Sequence, residues 1–172
     1  MYFAAAQGVG FIAMALGIVS YQCKSTRLLI LCQMSGNVAF AVHYLMLGAY
    51  AACIGQLILS LSNLLLCMKR PWTRWRGWKW IFSALSLAAC FATWKDGFSI
   101  IPCAASVISI LTNWSFNGKV IRLGKLLLSC PGWIVYDLHV RSYSGILCEL
   151  IAMGSALVCI CRYGISQLDS NE

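Results

Sequence analysis

The stretch KRPWTRWRGWKW, residues 69–80, places five basic side chains and four tryptophans within twelve residues. Two interpretations fit such a segment. Cations and indoles bind the phosphates and bases of single-stranded nucleic acid. They also mark the cytoplasmic edge of a membrane-spanning segment, where cations meet lipid headgroups and indoles lie at the interface. The composition and charge pattern of the surrounding chain decide between them.

The composition is that of a membrane protein. Of the 172 residues, 60% are hydrophobic and only 10% are charged, and the mean hydropathy is +0.78. A soluble domain carries about 25% charged residues. Because so few charged side chains cannot cover a globular surface in water, we expect most of the surface to contact lipid.

Apolar runs of helix length recur seven times between short polar breaks. One helical crossing of a bilayer needs about 20 residues. The first run lacks the basic start and the cleavage site of a signal peptide, so we expect it to be a mature helix. The predicted spans are 3–21, 28–47, 50–68, 79–94, 99–116, 121–139 and 143–162.

The basic residues fall on one side of these spans. The opposite side holds only Lys95 and Arg141. By the positive-inside rule, the N-terminus is outside and the C-terminus is cytoplasmic. Residues 69–80 then form a cytoplasmic hinge, whose cations attract anionic lipid by about 1 kcal/mol each, and we expect no nucleic-acid binding. The eleven cytoplasmic cations are Lys24, Arg27, Lys69, Arg70, Arg74, Arg76, Lys79, Lys119, Arg122, Lys125 and Arg162.

An internal repeat emerges when the chain is shifted by 93 residues. The shift aligns the third span with the seventh without a gap, and it pairs Tyr50 with Tyr143 and Gln56 with Glu149. Spans one to three then match spans five to seven, and the fourth is a linker. We predict an all-α integral membrane protein whose seven transmembrane helices form two parallel three-helix repeats joined by a linker helix, a 3+1+3 arrangement.

The predicted division of the chain follows from this repeat. It comprises 1–68 as the first repeat, 69–96 as the basic, Trp-rich cytoplasmic hinge with the linker helix, 97–163 as the second repeat and 164–172 as a short cytoplasmic tail.

The sequence lacks the motifs of an enzyme or a metal site. No metalloprotease, nucleophile-elbow, P-loop or dinucleotide-binding motif occurs. The ten cysteines include no CxxC pair and no Cys/His cluster with zinc spacing. We therefore expect no catalytic residues, no metal and no cofactor, and we expect the cysteines to pack between helices.

Polar residues within the predicted spans are the candidate site. An ionisable group in the hydrocarbon region is costly and usually functional. Glu149 lies about two turns into the last span, with Gln56 as its neutral counterpart in the third. Together they could hydrogen-bond a polar ligand, or Glu149 could carry a coupling proton. The alternative is a structural clamp from Glu149 to Gln56 or Asn113, worth about 0.6 kcal/mol.

Three further residues have both functional and structural interpretations. Asp137, near the outer end of the sixth span, either belongs to the site or forms a rim ion pair beside Arg141. Trp133 lies one helical turn earlier on the same face, as a stacking platform or as packing. His43 either titrates in a proton path or hydrogen-bonds a neighbouring helix.

Three segments resemble the bacterial inner-membrane YgjV family over nearly the whole chain. They are AAQGVGFIAMALGI (5–18), VHYLMLGAY (42–50) and WIVYD (133–137). The resemblance implies a multi-pass protein of the bacterial inner (plasma) membrane. The 3+1+3 plan is also similar to the SWEET and PQ-loop sugar and amino-acid carriers and to the PnuC-type vitamin-precursor carriers.

The SWEET-like resemblance implies specific site residues. In those repeats an aromatic residue on the second helix and an amide on the third face the substrate; the matching positions are Phe40 and Gln56, then Trp133 and Glu149. The chain departs from the PQ signature, since Tyr21 stands at the proline position before Gln22.

We therefore predict a carrier or facilitator for a small polar metabolite, sugar-like or vitamin-precursor-like, that works by alternating access between the repeats. Its partners are the lipid bilayer and a small-molecule substrate, and a homo-oligomer is left open. The alternatives are a non-transporting membrane scaffold or accessory protein and a ligand sensor on the same fold. The predicted substrate-binding residues are Glu149, Gln56, Trp133, Asp137, Phe40, Asn113 and His43.

Overall fold

The computed structural model describes residues 2–22, 26–68, 70–115 and 117–163, which form seven helices and no strand. This confirms the all-α prediction, and each helix lies within a few residues of its predicted span. The helices are α1 (Tyr2–Gln22), α2 (Thr26–Met46), α3 (Tyr50–Cys67), α4 (Trp78–Ala92), α5 (Ile100–Asn113), α6 (Gly118–Gly124, Lys125–Ser129 and Cys130–Val140 in succession) and α7 (Tyr143–Tyr163). Lys24, Lys69 and the predicted tail at 164–172 lie outside the described residues, as do the side chains of Tyr21, Gln22, Arg27, Arg74 and Arg162.

The outer surface of the helices is apolar. Tyr2–Val19 and Tyr50–Cys67 are long and apolar enough to cross a bilayer. Shorter apolar helical segments are Ile30–Met46, Trp78–Ala92, Gly97–Asn113 and Tyr143–Val158. Soluble proteins rarely expose contiguous apolar patches above a few hundred Å², so this surface suits contact with lipid. Large apolar side chains exposed on the helices include Ile12, Val42, Leu61, Leu85, Ile100, Leu127 and Val158.

Two groups of three helices enclose a common interior. In the first half, α2 packs against α1 and α3; in the second half, α6 packs against α5 and α7. Between the halves, α1 packs against α7 and α3 packs against α5, while α4 packs against α3 and α5. The largest buried apolar cluster draws on both halves, including Phe40 and Ala52 from the first and Trp133 and Tyr136 from the second.

The 93-residue offset relates local features of the two halves. The helices α3 and α7 begin at Tyr50 and Tyr143, which are 93 residues apart. Gly48 (φ 71°) and Arg141 (φ 56°), also 93 residues apart, follow α2 and α6 and are the two described residues with positive φ. Glycine adopts this conformation freely, whereas other residues lose about 1–2 kcal/mol there. The left-handed backbone of Arg141 therefore reflects the geometry of the turn rather than the preference of the residue.

The helix α6 widens where it approaches Pro131. Residues Lys125–Ser129 have π-helical hydrogen bonding, and the amide of Cys130 donates to the carbonyl of Lys125. Proline has no N–H to donate, and its ring crowds the carbonyl four residues earlier. A wider turn at this point accommodates both effects. Single π turns inside α-helices are frequent at functional sites.

The described part of the opening stretch forms a compact tryptophan cluster before α4. Pro71–Arg74 is a 3₁₀ turn with proline at its start. The exposed indoles of Trp72 and Trp75 contact the ring of Trp78 edge to face, with centroids 6.1 and 6.2 Å apart. The Trp78 indole N–H also donates to the carbonyl of Trp72, 3.0 Å away. Exposed indoles and cations at one helix end fit the interfacial role predicted from sequence.

Candidate functional site

A small cavity lies between the two halves, with a volume of about 50 Å³. We call it the central cavity. Four residues of the predicted site line it together: Phe40, Gln56, Trp133 and Glu149. Its remaining lining residues come from the same helices and from α1 and α5, and they are Gly17, Gln33, Gly36, Asn37, Leu59, Ser109, Lys125, Ser129 and Cys148.

Three buried polar atoms beside the central cavity have no hydrogen-bond partner among the described residues. They are Asn37 Nδ2, Gln56 Oε1 and Glu149 Oε2. An unsatisfied buried polar atom costs about 1–3 kcal/mol, so a stable protein rarely gathers several in one place.

Glu149 has two neighbours on α6. Its carboxyl group accepts a hydrogen bond from the thiol of Cys130, and Lys125 is close enough for electrostatic attraction. No hydrogen bond joins Glu149 to Gln56 or Asn113 within the described part of the chain, so the predicted clamp is absent there. Glu149 lines the cavity, and its Oε2 is buried without a hydrogen-bond partner among the described residues.

A second, larger cavity of about 160 Å³ lies at the opposite end of α2 and α6. We call it the end cavity. It is lined by the turn after α2, the α4–α5 connection and the last turn of α6, including Gly48, Lys95, Tyr136 and His139. The last turn of α6 contributes Tyr136 and His139 to this cavity, whereas Trp133, one turn earlier, lines the central cavity.

Four aromatic side chains separate the cavities. Phe40 and Trp133 line the central cavity, whereas Tyr136 lines the end cavity. Tyr44 lies between them and stacks on Phe40 and on Trp133, with ring centroids 6.0 and 5.7 Å apart. Its ring also contacts Tyr136 edge to face at 6.3 Å. We call this set the aromatic layer: Phe40, Tyr44, Trp133 and Tyr136.

A hydrogen bond between the halves closes the aromatic layer. The hydroxyl of Tyr44 donates to Asp137 Oδ1 at 2.7 Å, and Asp137 is fully buried. The predicted rim ion pair with Arg141 is therefore wrong, because the last turn of α6 directs Asp137 towards α2 while Arg141 is exposed. Asp137 does not line the central cavity.

His43 belongs to a buried polar cluster rather than to the central cavity. Its Nδ1 lies 2.7 Å from the carbonyl of Ala6, and its Nε2 lies 2.8 Å from Ser142 Oγ. Because a carbonyl oxygen only accepts, Nδ1 donates, and Nε2 of the neutral ring accepts from Ser142. The amide of Gln7 adds a bond to the carbonyl of Arg141 at 3.0 Å. These bonds tie α1 and α2 to the α6–α7 turn, as the hydrogen-bonding alternative predicted.

Asn113 lies in a separate contact between α3 and α5. Its Nδ2 donates to Asn63 Oδ1 at 2.9 Å, and the neighbouring indole of Trp114 donates to Ser62 Oγ at 2.8 Å. Since Asn113 does not line the central cavity, the structure separates it from Glu149 and Gln56.

An ion pair lies beside the end cavity. His139 Nε2 donates to Asp96 Oδ2 at 3.0 Å, and Phe98 stacks on the imidazole with a centroid distance of 4.1 Å. The Asp96 side chain also accepts from the amide of Ser99, which caps the turn before α5. The hydrogen bond from His139 holds the pKa of the Asp96 carboxyl below its ordinary value.

The structure adds residues that the sequence did not single out for the site. From the sequence we predicted that Lys125 is an interfacial cation. In the structure it begins the π turn and lines the central cavity together with Glu149. Gln33, Ser109 and Ser129 carried no sequence signal, since isolated polar residues in an apolar run do not reveal which face they occupy. Asn37 was visible as an interior amide, and its unpaired Nδ2 now assigns it to the cavity.

The described cysteines are not joined in disulfides. Eight side chains are described and none forms a disulfide. Within residues 2–22, 26–68, 70–115 and 117–163, no group of three or more His, Cys, Asp or Glu is placed to hold a metal ion. Cys130 and Cys148 lie beside Glu149, so these thiols contribute to the polar surroundings of the cavity.

The seven described helices, with an apolar outer surface, are consistent with an all-α membrane protein. Residues 4–167 match the family of bacterial inner membrane proteins called Imp-YgjV, and the chain belongs to this family. This confirms the resemblance seen at 5–18, 42–50 and 133–137 and the predicted bacterial inner membrane. Neither the curated proteins nor the solved structures gave a match. The similarity to SWEET, PQ-loop and PnuC-type carriers stays a prediction.

Proposed function

We propose that the protein is a carrier for a small polar metabolite, which passes between two three-helix repeats by alternating access. One observation carries this proposal: Gln56 and Glu149, 93 residues apart, line one cavity, and each has a buried oxygen without a hydrogen-bond partner among the described residues. A site built from both repeats is what a carrier needs, because its substrate must contact each moving part.

The 3+1+3 arrangement is part of this proposal. The 93-residue shift maps α1 onto α5 and α3 onto α7, so the contact of α1 with α7 corresponds to the contact of α5 with α3. The helix α4 has no counterpart under this shift. The left-handed turns at Gly48 and Arg141 follow the same shift. Repeats in this orientation are related by an axis along the membrane normal, and the central cavity lies on the boundary between them.

The aromatic layer is the proposed gate. It separates the central cavity from the end cavity, and the bond from Tyr44 to Asp137 joins the two halves across it. The end cavity is lined by Lys95 and by Val140, the residue before Arg141, whereas Lys125 belongs to the end with the basic connections. By the positive-inside rule, the end cavity faces outward and the central cavity is on the cytoplasmic side of the closed gate.

The scaffold alternative requires a packed interior in which polar residues satisfy each other. His43 and Ser142 behave in this way. Asn37, Gln56 and Glu149 do not, because each leaves a buried atom unpaired, and all three residues line the central cavity. The same set of atoms also suits a ligand sensor, which would bind without transport.

Solute-driven swelling of proteoliposomes tests the proposal. Vesicles with and without the purified protein are challenged with hyperosmotic glycerol, erythritol, glucose or glycine, and re-swelling is followed by light scattering. The expected result is faster re-swelling with at least one solute, slowed by Gln56→Leu and by Glu149→Gln. Lys79→Met, which changes a hinge lysine lying over Trp80, is the control that should retain the wild-type rate. Rates equal to those of empty vesicles for all four solutes would contradict a carrier and favour the scaffold.

A further inference from the structure

The end cavity opens at the surface of the protein. Its lining includes Tyr50, which is exposed, and the side chains of Asp96 and His139, each 38% exposed. Its volume of about 160 Å³ holds roughly ten water-sized groups, since one ordered water needs about 10–15 Å³ on this measure. A small solute can therefore enter this space in the structure as it stands.

The helix α3 begins at the end cavity with amide groups that no side chain caps. Gly48, Ala49, Tyr50 and Ala51 all line the cavity, and Ala49 at the N-cap position has no side-chain oxygen. The amides of Tyr50 and Ala51 donate to no described residue. The first amides of a helix have no acceptor within it and carry partial positive charge. Such a helix start attracts an anion.

The matching start of α7 is satisfied by side chains. Ser142 stands 93 residues after Ala49, and its Oγ accepts from the amide of Gly145 at 3.2 Å. The amide of Ser144 donates to Gln7 Oε1, also at 3.2 Å. The two halves therefore differ at this point, because side chains complete the start of α7 and leave the start of α3 open to the end cavity.

Two side chains add hydrogen-bond donors to the same cavity. Tyr136 is only 4% exposed, and its hydroxyl has no hydrogen-bond partner among the described residues. Buried hydroxyl groups normally have a partner, so this one indicates a ligand on the side of the cavity. The exposed Lys95 also lines the cavity, and its ammonium forms no ion pair within the described part of the chain.

The carboxylate in the lining does not neutralise these donors. Asp96 accepts from His139 Nε2 at 3.0 Å and from the amide of Ser99 at 3.2 Å, so its charge already has partners. The Lys95 ammonium, the Tyr136 hydroxyl and the open amides of α3 remain. All of them donate, and a group with several acceptor oxygens and a negative charge satisfies them together.

We propose that the end cavity binds an oxyanion, the carboxylate or phosphate group of a small solute, through the Lys95 ammonium, the Tyr136 hydroxyl and the first amides of α3. The apolar side chains of Leu47 and Val140, which also line the cavity, suit the hydrocarbon part of an organic acid. This site goes beyond the proposed function, because it requires neither the central cavity nor transport.

Thermal unfolding of the full chain in detergent tests the site. The probes are sodium propionate and sodium phosphate. The controls are propionamide, which has the shape of propionate without its charge, and sodium chloride at equal ionic strength. We expect at least one oxyanion to raise the melting temperature in a saturable manner, and neither control to do so. The oxyanion that acts distinguishes a carboxylate site from a phosphate site.

Three variants locate the bound anion. Lys95→Met and Tyr136→Phe should each raise the apparent Kd by about threefold to tenfold, since each removes one donor at a partly solvated site. Ala49→Ser gives α3 the capping oxygen that Ser142 gives α7, and it should also weaken binding, because that oxygen competes for the same amides. Lys79→Met, in the hinge over Trp80, is the control that should bind as wild type.

Three results would overturn the inference. They are stabilisation by propionamide or chloride equal to that by the oxyanions, no saturable stabilisation by either oxyanion, and anion binding unchanged in both Lys95→Met and Tyr136→Phe. If one variant does not fold, the other variant and the comparison of oxyanions with controls on wild type still decide. The swelling assay is independent, because its variants at Gln56 and Glu149 do not touch the end cavity.

Discussion

Tyr44 and Asp137 are 93 residues apart, and the hydroxyl of one donates a 2.7 Å hydrogen bond to the carboxyl of the other. The two residues occupy matched positions in the aligned halves, and their side chains are in direct contact. Both side chains are almost fully buried, so the bond forms where water cannot compete for it. It joins α2 to α6 at the level of the aromatic layer.

Loss of this bond should destabilise the protein. Tyr44→Phe removes the donor to a buried carboxyl oxygen, and we expect the free energy of unfolding to fall by about 1–3 kcal/mol. The measurement is unfolding by dodecyl sulfate in mixed micelles, followed by circular dichroism. Tyr143→Phe is the matched control, since Tyr143 is 58% exposed and its hydroxyl loss should change stability by less than about 0.5 kcal/mol. Equal effects at the two positions would contradict a role for the bond.

Removing one partner of the Asn63–Asn113 hydrogen bond should lower the unfolding free energy more than replacing both partners by leucine. Asn113→Leu leaves the fully buried Asn63 amide without its partner, and we expect a loss of about 1–3 kcal/mol in unfolding free energy. The double variant Asn63→Leu/Asn113→Leu removes both polar groups and should recover most of that loss. The same micellar unfolding measures both variants. A double variant less stable than the single one would show that the amides contribute more than mutual satisfaction.

Close packing of α1 should make two nearby glycines respond differently. A Cβ on Gly10 would clash with Ser144 Oγ and lie 2.9 Å from His43 Nδ1, whereas a Cβ on Gly8 would meet nothing within 4 Å. We expect Gly10→Ala to lower the unfolding free energy by about 1–3 kcal/mol. Gly8→Ala should be neutral or stabilising by up to about 1 kcal/mol, because alanine favours helix. Similar destabilisation by both variants would mean that α1 does not pack against α7 as described.

The Asp96–His139 pair should make stability depend on acid pH. The pKa of Asp96 lies below its ordinary value, chiefly because His139 donates to it, so the ionised carboxyl stabilises the fold. This contribution is complete above the ordinary carboxyl pKa and is lost as pH falls through the lowered value. Melting temperatures across an acid series should therefore fall less steeply for Asp96→Asn than for wild type. Asparagine retains the helix-capping oxygen, so the difference isolates the charge. Parallel curves would exclude the pair as the cause.

Much of the fold was predictable from local features of the chain. The seven helices follow from apolar runs of membrane-spanning length, and their bounds agree with the prediction to within a few residues. The 93-residue shift could be found from the sequence because it pairs Tyr50 with Tyr143 and Gln56 with Glu149 without a gap. The SWEET-like resemblance implied that Phe40, Gln56, Trp133 and Glu149 face a common substrate, and these four residues line one cavity.

Other parts of the candidate site could not be predicted, because they depend on which helix faces which. Lys125 follows a basic connection and has the sequence character of a headgroup cation, but the π turn before Pro131 brings it to the cavity. Asp137 lies four residues before Arg141, where a rim ion pair is the simplest expectation. Its buried bond to Tyr44 depends on α2 lying opposite the last turn of α6.

Sequence alone determined the apolar helices, their number and the internal repeat, because hydropathy and helical spacing are properties of consecutive residues. Tertiary structure alone decided which polar groups satisfy each other and which remain unpaired. Asn113 donates to Asn63 Oδ1 and His43 bonds to Ser142, whereas Gln56 Oε1, Glu149 Oε2 and Asn63 Nδ2 have no hydrogen-bond partner among the described residues. The physical reason is that hydrogen bonding between helices is set by the rotation and depth of each helix against its neighbours, which no single segment encodes.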